Sequence, residues 1–203
     1  MNFISNIIYQ QFRQVMKRVD QFIENKLGEK TVLNRDQNIE VEVGRRLMEN
    51  NATIALAESC TGGLLAHRLT NVPGSSDYFL FSGVTYSNES KIKLLGVLPE
   101  TIEKLGAVHE KTAKEMAMGA MRIGNSTYGL STTGIAGPSG GTIQKPVGTV
   151  CIGFATATMA KGRRFYFPAM NRLQYKEAFA TAALKFLLDE IEKALKLKDA
   201  DRL

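Results

Sequence analysis

Thr53-Ile54-Ala55-Leu56-Ala57-Glu58-Ser59-Cys60-Thr61-Gly62-Gly63 runs from a short apolar segment straight into a polar, glycine-rich one. Residues 53–57 have the length and apolar character of a strand buried on both faces, as in the sheet of an α/β domain. The residues that follow, Leu64–Leu69, read as a helix. Toward the N-terminus, a helix is expected from about Asp36 to Asn50, with Ile39, Val43 and Leu47 on one side. Residues 28–36 interrupt the pattern. Before them, Ile4, Ile7, Ile8, Phe12, Val15, Val19 and Phe22 recur at three- and four-residue steps, which predicts a helical extension over residues 1–35 with one apolar stripe. Toward the C-terminus the expected order is a strand at Tyr78–Tyr86, helices at Asn88–Leu95 and Glu110–Ile123, and a strand at Thr127–Thr133. A long strand at Val147–Thr158 then returns antiparallel at Lys161–Phe167. Last comes a long helix at Arg172–Leu197, with Ala178, Ala182, Leu184, Phe186, Leu188 and Ile191 inside. Strands alternating with helices make a layered α/β domain over residues 36–203, and the hairpin makes its sheet mixed.

Composition narrows the function classes. The chain has 203 residues, 44% hydrophobic and 23% charged, which suits one globular domain and excludes a disordered or fibrous chain. No apolar run approaches the roughly 20 residues of a membrane span. Cys60 and Cys151 form no disulfide framework and, like His67 and His109, stand in no metal-ligand spacing. No metal and no cofactor are expected. A cytoplasmic location is expected. The basic, acid-free residues 1–19 leave an organelle address as the alternative, although they lack the serine- and arginine-rich character of one. Of the net charge of +6, most lies in residues 151–203, around Lys161, Arg163, Arg164, Arg172 and Lys176. That excess suits a solvated face or an anionic small molecule. With few aromatics, no Trp and no groove-reading motif, nucleic acid is not expected as a partner.

Three segments are polar or glycine-rich where strands should end, which is where ligands bind in open α/β sheets. In Glu58–Gly63, a serine sits at a strand-to-helix elbow, with backbone amides behind it able to hold an anion or oxyanion. Ser59 as a nucleophile and Ser59 or Thr61 as a simple helix cap are both open readings. In Tyr86-Ser87-Asn88-Glu89-Ser90-Lys91, Asn88 is the expected helix cap, and Lys91 lies about one turn in. The positive end of the helix dipole disfavours its ammonium form. A lone lysine there is ordinarily a surface residue. A serine needs a base, however, and no histidine is well placed to serve. The third segment is Thr133-Gly134-Ile135-Ala136-Gly137-Pro138-Ser139-Gly140-Gly141-Thr142, followed by Lys145-Pro146-Val147-Gly148-Thr149. Its glycines suit an anion nest. No Gly-Lys-Ser/Thr follows, so it is not a nucleoside-triphosphatase loop.

Taken in order, these motifs closely resemble the CinA C-terminal domain family, with Gly74-Ser75-Ser76, Leu95-Gly96-Val97 and Gly106-Ala107-Val108 between them. The resemblance covers about residues 38–193. It implies a three-layer α/β/α sandwich, a tendency to homo-oligomers, and nicotinamide-nucleotide amidase activity. The reaction would take nicotinamide mononucleotide to nicotinic acid mononucleotide and ammonia. By position, it implies Ser59 as nucleophile, with Lys91 and Tyr86 as its activating partners. It implies Glu58, Thr61, Gly62, Gly63, Asn88, Thr133, Gly134, Gly137, Gly140 and Gly141 as substrate-binding residues, with Arg172 meeting the phosphate. Departures stand at Asn171-Arg172, where Asp-Arg is usual, at Ala169-Met170 in place of a Gly, at Ser139, and at His109 where Ser is common. The segment 169–172 therefore keeps a rival reading open, a catalytically weak nucleotide- or protein-binding module.

Overall fold

The computed structural model describes residues 39–200, with side chains described as far as Lys196. The expected helical extension over residues 1–35, and the possible address in residues 1–19, lie outside the described residues. Six α-helices and five strands follow one another: α1 Ile39–Glu49, β1 Ile54–Glu58, α2 Leu64–Thr70, β2 Phe79–Val84, α3 Asn88–Leu95, α4 Pro99–Leu105, α5 Glu110–Gly124, β3 Tyr128–Gly134, β4 Thr149–Ala155, β5 Ala160–Tyr166 and α6 Arg172–Ala200. Among the described residues no helix is long and apolar enough to cross a membrane.

The sheet has the order β2-β1-β3-β4-β5. β1 is parallel to both β2 and β3; β4 is antiparallel to β3, and β5 is antiparallel to β4, so that β4 alone runs against the rest. β1 lies inside the sheet between β2 and β3, with helices over both faces, and its five residues are all buried. Helices cover both faces, giving the α/β/α sandwich. On one face Ile39, Val43 and Leu47 of α1, Leu65 and Leu69 of α2, and Phe179, Leu184 and Leu187 of α6 pack over Ile54, Leu56, Leu130, Ile152 and Phe154. On the other, Leu95, Met116 and Ala120 pack over Ala55 and Ala57.

Helix α5 lies unusually low on the sheet. Gly129, Gly153 and Gly162 on three adjacent strands lie beneath it, and a methyl group at any of them would strike a carbonyl of α5, that of Ala117, Ala113 or Glu110 respectively. Ser131 Oγ donates to the Ala113 carbonyl at 2.6 Å, so the close approach also satisfies a buried hydroxyl. The residues leading into α5 are drawn against β3 as well: Thr133 Oγ1 donates to the Ala107 carbonyl at 2.9 Å. His109 caps α5 by accepting from the Lys111 amide at 3.0 Å, as a serine would.

Three sequence expectations change. The inward face of α6 is carried by Tyr175, Phe179, Ala180, Ala183, Leu184, Leu187 and Ile191. Ala178, Ala182 and Leu188 are only half-buried. β4 begins at Thr149 rather than Val147, because the Gly148 amide turns to the Ile135 carbonyl and closes the loop. Helix α4 has no counterpart in the sequence reading. It is seven residues long, and its Leu98 cap offers no side-chain acceptor.

Gly153→Ala is expected to destabilise the fold by about 1–3 kcal/mol through overpacking against α5. At roughly 2–4 °C per kcal/mol, the loss appears as a lower Tm in thermal denaturation followed by circular dichroism. An unchanged Tm would contradict the close seating of the helix.

Candidate active site

Because β1, β2 and β3 are parallel, their ends at Glu58, Val84 and Gly134 lie along one edge of the sheet. β5 is antiparallel to β4 and so runs with β1–β3; it ends at the same edge and leads into Arg172 at the start of α6. The three motifs of the sequence and the N-terminus of α6 therefore converge.

Ser59 continues β1 by one residue, its amide donating to the Thr132 carbonyl at 3.0 Å. The Gly62 amide then donates back to the Ser59 carbonyl at 3.1 Å and closes a turn over residues 59–62. Gly62 and Gly63, at φ 62° and 93°, are left-handed, a conformation that costs a glycine little. In such a turn the two inner amides have no internal partner, and those of Cys60 and Thr61 bond to no carbonyl among the described residues. Helix α2 has no side-chain cap at Gly63. Glu58, fully buried, caps it instead: its carboxylate accepts from the amides of Gly63 (2.9 Å), Leu65 (3.2 Å) and Ala66 (2.9 Å) and from Thr61 Oγ1 (2.7 Å). This corrects two expectations. Glu58 and Thr61 hold the elbow from below and do not face a ligand. Thr61 Oγ1 is also within 2.7 Å of Thr132 Oγ1, in the interior.

Lys91 meets Ser59. Its Nζ lies 3.1 Å from Ser59 Oγ, 2.8 Å from the Thr85 carbonyl and 3.2 Å from the Tyr86 carbonyl. The side chain is 1% exposed, and Ser59 is 8% exposed. No carboxylate lies within ion-pair distance of Lys91 among the described residues. Burial without a counter-ion disfavours the ammonium and brings its pKa down to about 8. The sequence reading expected the same direction from the helix dipole, but desolvation is the leading cause. Helix α3 is capped by Ser87, whose Oγ accepts from the Ser90 amide at 3.0 Å, not by Asn88, which is exposed. Burial pushes the pKa of the neighbouring Cys60 thiol up to about 12, which keeps it protonated.

Tyr86 is placed differently from its expected role. Only its carbonyl reaches Lys91. Its hydroxyl accepts from Arg172 Nη2 at 3.0 Å, and its side chain is exposed. Arg172 Nη1 donates to the Gly137 carbonyl at 2.6 Å, so one guanidinium ties the β2 end to the glycine-rich loop. Gly140 and Gly141 of that loop are exposed and Gly137 is buried, whereas Thr133 is turned inward onto Ala107. Gly134 ends β3 in register with Val150. At the unusual segment before α6, Ala169 adopts φ 30°, where a glycine would be at ease. Asn171 caps α6 reciprocally with Gln174: its Oδ1 accepts from the Gln174 amide, and its amide donates to Gln174 Oε1, both at 3.0 Å. An Asn there caps a helix as well as an Asp. Sequence reasoning missed Lys176 as a site residue. Its Nζ stands 3.6 Å from where a Cβ on Gly62 would be. The available signal was its four-residue spacing from Arg172.

The sequence profile of the CinA C-terminal domain matches residues 36–191. The chain belongs to the CinA C-terminal domain family. It is 52% identical over 170 residues to a CinA-like protein of Desulforapulum autotrophicum, covering 84% of this chain and 40% of that one. A CinA-like protein of Desulfosudis oleivorans is 53% identical over 167 residues, covering 82% and 40%. The chain thus spans about two fifths of the length of these curated relatives. Among solved structures, the competence/damage inducible protein CihA from Agrobacterium tumefaciens superposes with a TM-score of 0.70 at 36% identity, over 75% of this chain and 94% of that one. A CinA superfamily protein from Escherichia coli gives 0.72 at 29% identity, over 81% and 95%. The mixed sheet and its helices are thus the fold of CinA-family neighbours.

Glu58→Ala is expected to cost about 3 kcal/mol, because it leaves three amides at the start of α2 without their acceptor. Urea unfolding would show it as a lower midpoint. A midpoint equal to that of the native protein would mean that the carboxylate does not anchor α2.

Proposed function

We propose that this CinA-family protein is an amidohydrolase that acts on nicotinamide mononucleotide, with Ser59 as nucleophile and Lys91 as its base. The observation that carries the reading is the 3.1 Å approach of Lys91 Nζ to Ser59 Oγ in a buried site with no carboxylate beside the amine. A neutral amine has two N–H donors and one lone pair. With the donors on the carbonyls of Thr85 and Tyr86, the lone pair is left for the Ser59 hydroxyl. At pH 7 roughly a tenth of such amines are neutral for a pKa of about 8, against about one in three thousand at the ordinary value of 10.5.

In the reaction, Lys91 Nζ takes the Ser59 proton as Oγ bonds to the carboxamide carbon. The developing oxyanion is held by the amides of Cys60 and Thr61, the two inner amides of the turn. This assignment replaces the amides of Gly62 and Gly63, which are taken by the Ser59 carbonyl and the Glu58 carboxylate. The lysine ammonium returns the proton to the nitrogen as the C–N bond breaks and ammonia leaves. A water then adds to the Ser59 ester while giving its proton to Lys91, and the acid leaves as Ser59 recovers that proton. The sum is one carboxamide and one water to one acid and one ammonia. The nicotinamide mononucleotide assignment rests on the family resemblance, and the cations at the rim support an anionic substrate. Tyr86 acts through Arg172, as a positioning residue, and not on the Ser59 proton.

Ammonia release from nicotinamide mononucleotide is expected from the native protein. Ser59→Ala should abolish it, and Lys91→Ala should lower kcat by about 10²–10⁴. Equal release by all three proteins would remove the mechanism.

Because only neutral Lys91 is competent, kcat/KM should rise about tenfold per pH unit below pH 8 and level off above it. A profile flat from pH 6 to 9 would exclude Lys91 as the base.

Tyr86→Phe should raise KM and leave kcat within a few-fold of native. A drop in kcat matching that of Lys91→Ala would restore Tyr86 to the proton transfer.

A further inference from the structure

Arg172 and Lys176 stand four residues apart on α6, and two like charges in that relation weaken a helix. Neither has a carboxylate within ion-pair distance among the described residues. The partners of Arg172 are both uncharged: the Gly137 carbonyl at 2.6 Å and the Tyr86 hydroxyl at 3.0 Å. Those two bonds use two of its five N–H donors and hold the planar head in one orientation. Lys176 Nζ lies against the open face of Gly62, three residues past Ser59, and a side chain there would come within 3.6 Å of it. Gly62 is exposed, so the ammonium stands at the lip of the elbow and not in the core. Arg163 and Arg164 of the basic C-terminal quarter have nearby partners, the Phe165 ring for one and Glu110 for the other. The local rule against adjacent like charges is broken at the mouth of the site, where an anion would resolve it.

The family resemblance already implies Arg172 on the phosphate; we infer that Lys176 is the second cation of a clamp that takes the phosphomonoester dianion of the substrate at the lip of the Ser59 elbow. Lys176 is the residue that makes the site prefer a phosphorylated carboxamide to the same compound without its phosphate. A fixed guanidinium fork and a mobile ammonium together suit a phosphate with several acceptor oxygens. The identity of the substrate rests on the amidase reading above; the clamp itself requires only that the ligand carry a phosphate.

Steady-state kinetics of Lys176→Gln and Lys176→Arg, with nicotinamide mononucleotide and with the nucleoside lacking the phosphate, test this. In Lys176→Gln the ratio of kcat/KM for the nucleotide over the nucleoside should fall about tenfold to a hundredfold, through KM, and Lys176→Arg should recover most of it. An unchanged ratio, with both substrates affected alike or neither affected, overturns the clamp. Calorimetric titration of Ser59→Ala and of Ser59→Ala with Lys176→Gln, using nicotinamide mononucleotide and inorganic phosphate as probes, separates the two proposals. If the native protein hydrolyses neither compound, the amidase reading fails. Binding tenfold or more weaker in the double variant still upholds the clamp, and equal binding by both proteins overturns it.

Discussion

A lysine amine enclosed by uncharged oxygen atoms is the constraint on which the site depends. Lys91 Nζ has three partners, two carbonyls and the Ser59 hydroxyl, and none carries a charge. A buried ammonium needs a counter-ion, and without one the amine sheds its proton more readily. A carboxylate within reach would hold the lysine charged and stop it from accepting a proton. The two carbonyls belong to consecutive residues just past the end of β2, and Lys91 lies on the helix that begins three residues later. Strand end, turn and first helical turn thus form one rigid unit that fixes where the lone pair points.

Ser59 is held by an equally local device from the neighbouring strand. Glu58 is the last residue of β1, and its carboxylate returns to the first turn of α2, so strand and helix cannot drift apart without breaking three hydrogen bonds to backbone amides at the helix start, while a fourth, from Thr61, holds the turn between them. The charge is neutralised by amides and by the positive end of a helix rather than by a cation. That choice matters beside Lys91. A buried carboxylate free to point at the amine would form an ion pair, whereas one fully engaged in capping does not. The same glycine turn that lets α2 start also leaves two amides without an internal partner next to Ser59.

Much of the fold was legible because it follows local pattern. The apolar run 53–57 reads as a strand buried on both faces, and Ile39, Val43 and Leu47 fall at helical spacing on the buried side of α1. On α6, Leu184, Phe186 and Ile191 are buried as expected, but Phe179, Ala183 and Leu187 are buried in place of Ala178, Ala182 and Leu188, since a helix rich in alanine and leucine on several sides shows no unique stripe. Helix α4 was missed although Pro99 at its start, Glu100 in its first turn and Gly106 past its end are helix signals; at seven residues it is too short to show an apolar period. In the site, Ser59 and Lys91 were legible as a nucleophile in search of a base. Their meeting depends on β1 and β2 being neighbours, which no local pattern states. The family resemblance implies Glu58, Thr61 and Thr133 as ligand residues. Each satisfies a buried backbone or hydroxyl group instead, a demand that appears only once the strands pack. Tyr86 was expected beside Ser59, but strand alternation and the turn after Val84 send its ring to the rim and its carbonyl to the lysine.

The rim and the base also constrain each other. A phosphomonoester brings close to two negative charges into the neighbourhood of Lys91. Nearby negative charge favours the ammonium and would raise the pKa of the base at the moment it must be neutral. A site that bound such a substrate only through backbone amides would therefore weaken its own chemistry as it filled. In the proposed clamp, the two cations of α6 supply about the opposite charge where the phosphate sits, so a dianion bound there adds less negative field at the amine than an unpaired one would. On that reading Arg172 and Lys176 would serve the base as well as the ligand.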